Sequence, residues 1–339
     1  MDTLRLCVEK IRRYLMSLKY ATPHKILPSI VRESRSTEFL DEAFNEIQSG
    51  RIRDGMDALV HELYDRYTTS TTTEWGQLVQ YELIPHPVCK LLLQDPLTSY
   101  SFRRPRGYAG DAHLLDRVFN PDCIDFSETT NIGKKLFQYT SRTPLCLAIT
   151  ERLKLLARMI DESVAANSDA KILSVASGHC RELDFSLAYK AGLIKEMVAL
   201  DHDEESLSQV SREYTNVNID LACQSVANLV RHNHFEQKFD LIYSSGLYDY
   251  LNTRFANKLT SLLFDMLAPG GRLVLINIDT DYKEIGYMEG FMNWGLIGRT
   301  AIDLLELAGG IGSSECADIQ LIDNPGTRSH FHVMEITKA

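Results

Sequence analysis

Two short stretches carry residue types that can do chemistry together. KILSVASGHCRELD (Lys171–Asp184) is an apolar, β-branched run that stops at a Ser-Gly pair, and VALDHD (Val198–Asp203) is a second apolar run that ends in an acid. This order predicts a strand–turn–helix–strand unit able to seat a nucleotide at the carboxyl ends of its strands. Gly178 has no Cβ to keep its backbone from a ligand, and Asp201 can accept both hydroxyl hydrogens of a ribose. The plainer alternatives are a strand–helix bend at Gly178 and acids that cap the next helix, a role Asp203 can fill for EESLSQV. The stretch lacks the GxGxxG of a dinucleotide site, which argues against NAD. A ligand with a short amino-acid tail tolerates the bulkier Ser177 and His179.

Three further segments supply polar or aromatic groups. FDLIYSSGLYDYLN (Phe239–Asn252) puts Ser244, Ser245 and Gly246 at a strand's carboxyl end, followed by Tyr248, Asp249 and Tyr250. Such loops line the ligand crevice of open α/β sheets, and Tyr rings hold cations over their faces. The alternative is that one of these tyrosines packs under the following helix. RGYAGD (Arg106–Asp111) flanks Tyr108 with two glycines; Asp111 can pair with an ammonium group or cap a helix. GYMEGFMNWGLIGRT (Gly286–Thr300) is rich in Met and aromatics, a composition more typical of core. Its position after RLVLINI also suits a lid, with Glu289, Asn293 and Arg299 as its polar groups. His232 and His234 have no partner acids at metal spacing, so no metal is expected, and there is no GxSxG elbow.

The elements that must position these residues change character midway. Apolar residues recur at helical spacing over Leu4–Leu18, Thr37–Ile47, Ile52–Tyr67, Glu74–Leu93 and Ile132–Ala166. Pro85 and Pro87 interrupt the fourth of these, and Pro144 marks a kink or restart in the last. Phe102–His113 reads as a loop. From Lys171, strands at Ile172–Ala176, Glu196–Leu200, Val217–Leu221, Asp240–Ser244 and Arg272–Ile278 alternate with helices, and strands near Asp318–Ile322 and Phe331–Ile336 follow. Alternation of this kind predicts an α/β fold with a mostly parallel sheet covered by helices on both faces. The expected domains are a helical one over residues 1–166 and a ligand-binding α/β one over 167–339.

Composition narrows the classes. The chain has 339 residues, room for two domains. A net charge of −10 disfavours nucleic acid, which needs an excess of Lys and Arg. The seven cysteines are scattered with no CxxC pair, as expected of reduced thiols in the cytoplasm. The N-terminus has no apolar core of a signal peptide, and no apolar run approaches the ~18 residues of a membrane span. A soluble cytoplasmic protein acting on a small molecule is expected; its oligomeric state is not readable.

In this order the motifs resemble those of the class I S-adenosylmethionine-dependent methyltransferases. SVASGHCREL resembles their first motif, ALDHD the acid after the second strand, FDLIYSSGLYDYL the fourth motif, and LAPGGRLVLIN the turn and strand beyond it. The first motif departs from the usual glycine-rich form. Together with RGYAGD and GYMEGFMNWGLIGRT, the chain from Arg104 onward is similar to the bacterial group of extracellular-factor 3-hydroxypalmitate methyl ester biosynthesis proteins. The resemblance implies a Rossmann-like seven-stranded sheet with an N-terminal helical domain, and S-adenosyl-L-methionine as cofactor. It implies cofactor contacts from Ser177, Gly178, Asp201, His202, Gln224, Ser225, Ser244 and Gly246, with Gln224-Ser225 replacing the acid that often meets the adenine edge. Tyr108 and Asp111 would close over the methionine part, and Tyr108, Asp111, Tyr248 and Asp249 are the catalytic candidates. Methyl transfer to a small molecule is the leading expectation, with a carboxylic acid giving a methyl ester as one form. A carboxylate acceptor needs no strong base; a hydroxyl or amine needs one, for which His179, Tyr248 or Asp249 could serve. One alternative is a lyase that cyclises the cofactor to azetidine-2-carboxylate and methylthioadenosine. Another is a non-catalytic cofactor-binding protein.

Overall fold

The computed structural model describes residues 37–323, 326 and 330–339; the segment Leu4–Leu18, expected to be helical, lies outside them. Within the described chain two compact units form. One contains residues 150–280 and 296–339, the other residues up to 149 together with 281–295. This differs from a single cut at 166/167. The boundary falls inside the helix Pro144–Ala166, and a short segment after the fifth strand belongs to the helical unit.

The α/β unit is a seven-stranded sheet: β1 Lys171–Val175, β2 Glu196–Asp201, β3 Ile219–Cys223, β4 Phe239–Ser245, β5 Leu267–Ile278, β6 Cys316–Leu321 and β7 Phe331–Lys338. Their order is β3-β2-β1-β4-β5-β7-β6. The first five strands pair in parallel, and β7 runs antiparallel between β5 and β6. This is the Rossmann-like seven-stranded sheet that the family resemblance implied; the alternation alone predicted a mostly parallel one. The central strands β1 and β4 are buried along nearly their whole length, as a sheet covered on both faces requires. Because β1 lies between β2 and β4, the chain reverses its direction of winding there, and the crevice at the strands' carboxyl ends opens beside it.

The Pro269-Gly270-Gly271 turn does not precede β5 but lies within it. The β4–β5 register slips between Phe239 and Leu241, and Gly270 absorbs the irregularity at φ +76°. A Cβ on Gly271 would sit 2.7 Å from the Phe239 carbonyl oxygen.

In the helical unit the expected segments appear at Glu38–Gln48 and Ile52–Thr69. The single helix expected over Glu74–Leu93 is instead Thr72–Leu78, a π-turn at Val79–Leu83, and Pro87–Leu92. Pro87 opens that last piece, with His86 as its cap. The chain likewise restarts at Pro144 after the helix Asn131–Thr140.

Candidate functional site

The turn after β1 explains how a motif short of glycine can make a tight bend. Ala176, Gly178 and Cys180 all adopt left-handed φ, at +55°, +51° and +52°. Two of the three are therefore L-residues in a conformation costing roughly 1–2 kcal/mol each. Only Gly178 was visible as a bend in the sequence; the alternation of left-handed positions was not.

That conformation aims the Gly178 N–H at the end of β2, where it donates to Asp201 Oδ2 at 2.8 Å. The other carboxylate oxygen, Oδ1, accepts from Asp203 N–H at 2.9 Å, and Asp201 is buried. His202, largely exposed, brings Nδ1 to 3.3 Å from Asp201 Oδ1. Asp203 caps the helix Glu204–Glu213 through Glu205 N–H. Beyond β3, Gln224 N–H donates to the Asp201 carbonyl at 2.9 Å, which sets the third strand's end against the second. Ser225 caps the helix Val226–Arg231 by accepting from Asn228 N–H.

Across β1, the Ser244 hydroxyl is fully buried and donates to the Val175 carbonyl at 3.0 Å. It clamps β4 to β1 instead of presenting a free group. Its neighbour Ser245 carries a buried hydroxyl without a hydrogen-bond partner, and so does Ser177. Ser174 lies level with Tyr243, so Ser245, the last residue of β4, and Ser177, just past β1, both lie at the carboxyl ends of adjacent strands. Gly246 follows at φ +95°. A Cβ there would lie 3.6 Å from both terminal nitrogens of Arg152 and 3.9 Å from Asp249 Oδ2.

Arg152 is the member that sequence reasoning missed. It projects from the helix Pro144–Ala166, is buried, stacks over the Phe331 ring at 4.8 Å, and leaves Nε without a hydrogen-bond partner. Burial pulls its guanidinium below its usual basicity, opposed most by Asp249 and then by Tyr250 and Glu182. Glu182, also unanticipated, is buried; it accepts from the Tyr243 hydroxyl at 2.5 Å, and burial raises its pKa. Arg152 was legible in one respect. It falls on the stripe of Ile149, Leu156 and Met159, where a helical period puts a charge among core residues.

Asp249 is buried, and its Oδ1 accepts from Ile278 N–H at 2.7 Å. Burial pushes its pKa up to about 7, while Arg152, the Ile278 amide and Arg299 pull against that shift.

Two other candidates are corrected. Tyr248 is fully buried, with its hydroxyl 3.0 Å from Thr260 Oγ1 under the helix Thr253–Asp265. It is the tyrosine that packs. Asp111, in the helical unit, is buried and caps the helix Ala112–Phe119 through Leu114 N–H at 2.9 Å; the same oxygen accepts from the Tyr100 hydroxyl. This is the helix-capping alternative that the sequence offered for it. Tyr108 is half-buried in the loop between left-handed Gly107 and Gly110.

The Met- and aromatic-rich segment is core instead of a lid. In the helix Ile285–Phe291, a Cβ on Gly286 would sit 2.5 Å from the Leu63 carbonyl oxygen. Glu289 accepts from the Tyr67 hydroxyl and from Trp75 Nε1, each at 3.1 Å. The Asn293 side-chain oxygen accepts from Arg104 at 2.8 Å. In the α/β unit, buried Arg299 donates to the Tyr248 carbonyl and to Asn277 Oδ1, each at 2.6 Å.

Among solved structures the chain is similar to a possible exported protein from Bordetella parapertussis. The TM-score is 0.57 and the identity 16%, over 90% of this chain and 99% of that one; the likeness is one of fold. The plantazolicin methyltransferase BpumL, solved with S-adenosylhomocysteine, matches at TM-score 0.45 and 12% identity, over 76% of this chain and 99% of its own. Magnesium protoporphyrin IX methyltransferase from Synechocystis, also solved with S-adenosylhomocysteine, matches at 0.45 and 12%, over 72% and 98%. No family model matches the chain, and no curated protein matches it.

Proposed function

We propose that the chain is an S-adenosylmethionine-dependent methyltransferase acting on a small molecule. The observation that carries this reading is the Gly178–Asp201 pair, held at the point where the sheet reverses its winding. The surrounding residues fit the cofactor. Two buried hydroxyls, Ser177 and Ser245, and Arg152 Nε await partners, and Gly246 keeps the backbone open beside the Arg152 guanidinium. In this reading Asp201, with His202 alongside, holds the ribose. Gln224 and Ser225 meet the adenine edge, and the guanidinium holds a carboxylate.

When bound, the cofactor's sulfonium makes its methyl group electrophilic, so the protein's share of catalysis is alignment and exclusion of water. Asp249 can hold or take a proton near neutral pH, and Oδ2 is the oxygen nearer Gly246. A carboxylic-acid acceptor, as in the 3-hydroxypalmitate methyl ester group, makes no demand on that base. A cytoplasmic setting suits Cys89, Cys146, Cys180, Cys223 and Cys316, none of which is in a disulfide. Among the described residues no helix is long and apolar enough to cross a membrane.

The test is incubation of the full chain with methyl-labelled S-adenosylmethionine, with and without hydroxy-fatty and other carboxylic acids, followed by mass spectrometry of the sulfur-containing product. Acceptor-dependent S-adenosylhomocysteine supports the proposal. Methylthioadenosine without any acceptor replaces it with cyclisation, and bound, unconverted cofactor replaces it with a non-catalytic role.

A further inference from the structure

Gly246 leaves a space that two opposite charges border. Around the position of its missing Cβ, both terminal nitrogens of Arg152 lie at 3.6 Å, and the next nearest atom is Asp249 Oδ2 at 3.9 Å. The guanidinium carbon is therefore farther off than either nitrogen, so Arg152 turns its forked end to this space and not its flat face. Asp249 borders the same space with Oδ2, because Oδ1 is engaged by the Ile278 amide at 2.7 Å.

Both residues are only 4% exposed, and buried opposite charges normally close on one another because each is costly alone. Among the described residues no salt bridge joins these two. Each is anchored separately. The Phe331 ring lies 4.8 Å from the guanidinium, and the Asp249 carbonyl accepts from Ile297 N–H at 2.6 Å. Gly246 is half-buried and Tyr250, next to Asp249, is exposed, so a ligand can reach the space. A fixed guanidinium fork and a fixed carboxylate oxygen beside one gap suit a ligand end that carries both charges.

We propose that Arg152 and Asp249 together receive the amino-acid end of the cofactor as a zwitterion, its carboxylate on the guanidinium fork and its ammonium on Asp249 Oδ2. The inference rests on the methyltransferase reading and extends it to the acceptor. An Asp249 committed to the ammonium does not take a proton from an acceptor, so the acceptor is one already ionised at neutral pH, a carboxylate.

Proton linkage supplies a readout that a merely structural Asp249 would not move. Its pKa is about 7, and the groups acting on it are Arg152, the Ile278 amide and Arg299; Tyr250 and Glu182 act in turn on Arg152. A ligand ammonium beside Oδ2 favours the carboxylate and drives off a proton. A ligand carboxylate on Arg152 offsets the guanidinium's pull and draws a proton in.

The test is titration calorimetry of the full chain at pH 7, in phosphate and in Tris. The probes are 5′-thioadenosines carrying either a 3-aminopropyl or a 3-carboxypropyl group on sulfur. Proton release is expected with the amine and proton uptake with the acid. Asp249→Asn should abolish both proton movements and weaken the amine about tenfold by loss of a charge-assisted bond, without weakening the acid. Arg152→Lys, which keeps the charge and loses the fork, should weaken only the acid. Circular dichroism and melting temperature verify folding of the variants, and the proton movements of the parent need no variant. Amine binding without proton release, or equal weakening of both probes in folded Asp249→Asn, overturns the proposal. If S-adenosylhomocysteine binds without these signatures, this inference alone falls. If neither it nor either probe binds the parent, the cofactor reading falls and this inference falls with it.

Discussion

Asp201 is held by two backbone donors, Gly178 N–H at 2.8 Å on one carboxylate oxygen and Asp203 N–H at 2.9 Å on the other. The acid is thus oriented before any ligand arrives, and it ties the β1 turn to the end of β2. Asp201→Ala should lose both functions, costing about 1–3 kcal/mol of stability from the stranded amides as well as ligand affinity. Asp201→Asn, which keeps one acceptor oxygen, should recover more of the stability than of the affinity. Chemical denaturation alongside binding separates the two losses.

Ala176 at φ +55° stores strain that glycine would not. Ala176→Gly should raise stability by about 0.5–1 kcal/mol, the left-handed penalty less the greater freedom of glycine in the unfolded chain. A lower melting temperature would mean that the Ala176 methyl group contributes packing that outweighs the strain.

Asp249 should leave a signature in stability against pH. Its pKa is about 7 when folded and near the ordinary carboxylate value when unfolded. Between those values the native state holds a proton that the unfolded chain has released, so this group makes stability fall as pH rises from about 4 to 7. Above 7 its effect is constant. Asp249→Asn retains an oxygen for the Ile278 amide and should flatten that part of the curve, read as melting temperature from pH 4 to 8.

Tyr248→Phe should leave cofactor binding and turnover unchanged while costing about 1 kcal/mol through the lost Thr260 partner. A large fall in turnover at unchanged stability would return Tyr248 to the catalytic group.

Gly286→Ala should destabilise the protein by about 2–3 kcal/mol, because the added methyl group meets the Leu63 carbonyl. Unchanged stability would mean that the segment is loosely held, as a lid would be.

The α/β unit was legible because parallel strands buried on both faces appear as continuous apolar runs, each followed by a polar turn. The strand boundaries moved where hydrogen bonding, not hydrophobicity, set them, as at β5, which absorbs Pro269-Gly270-Gly271 as an irregularity. Asp201 was legible because an acid directly follows a buried strand. Tyr248 and Asp111 stayed open between two readings because a polar group in a loop sequence looks the same whether it faces a ligand or satisfies Thr260 or a helix terminus. Arg152 was overlooked because a helix rich in charge hides one cation on its apolar side. The Met/aromatic segment was open to both readings; what decides for core is that a Cβ on Gly286 would come within 2.5 Å of the Leu63 carbonyl oxygen.

Isothermal titration of the full chain with S-adenosylhomocysteine, repeated on folded Asp201→Ala, reaches the central claim most directly. The account predicts one site per chain in the parent and at least about a hundredfold weaker binding in the variant, the scale of two charge-assisted hydrogen bonds. No binding by the parent, or equal affinity in the two proteins, would contradict it.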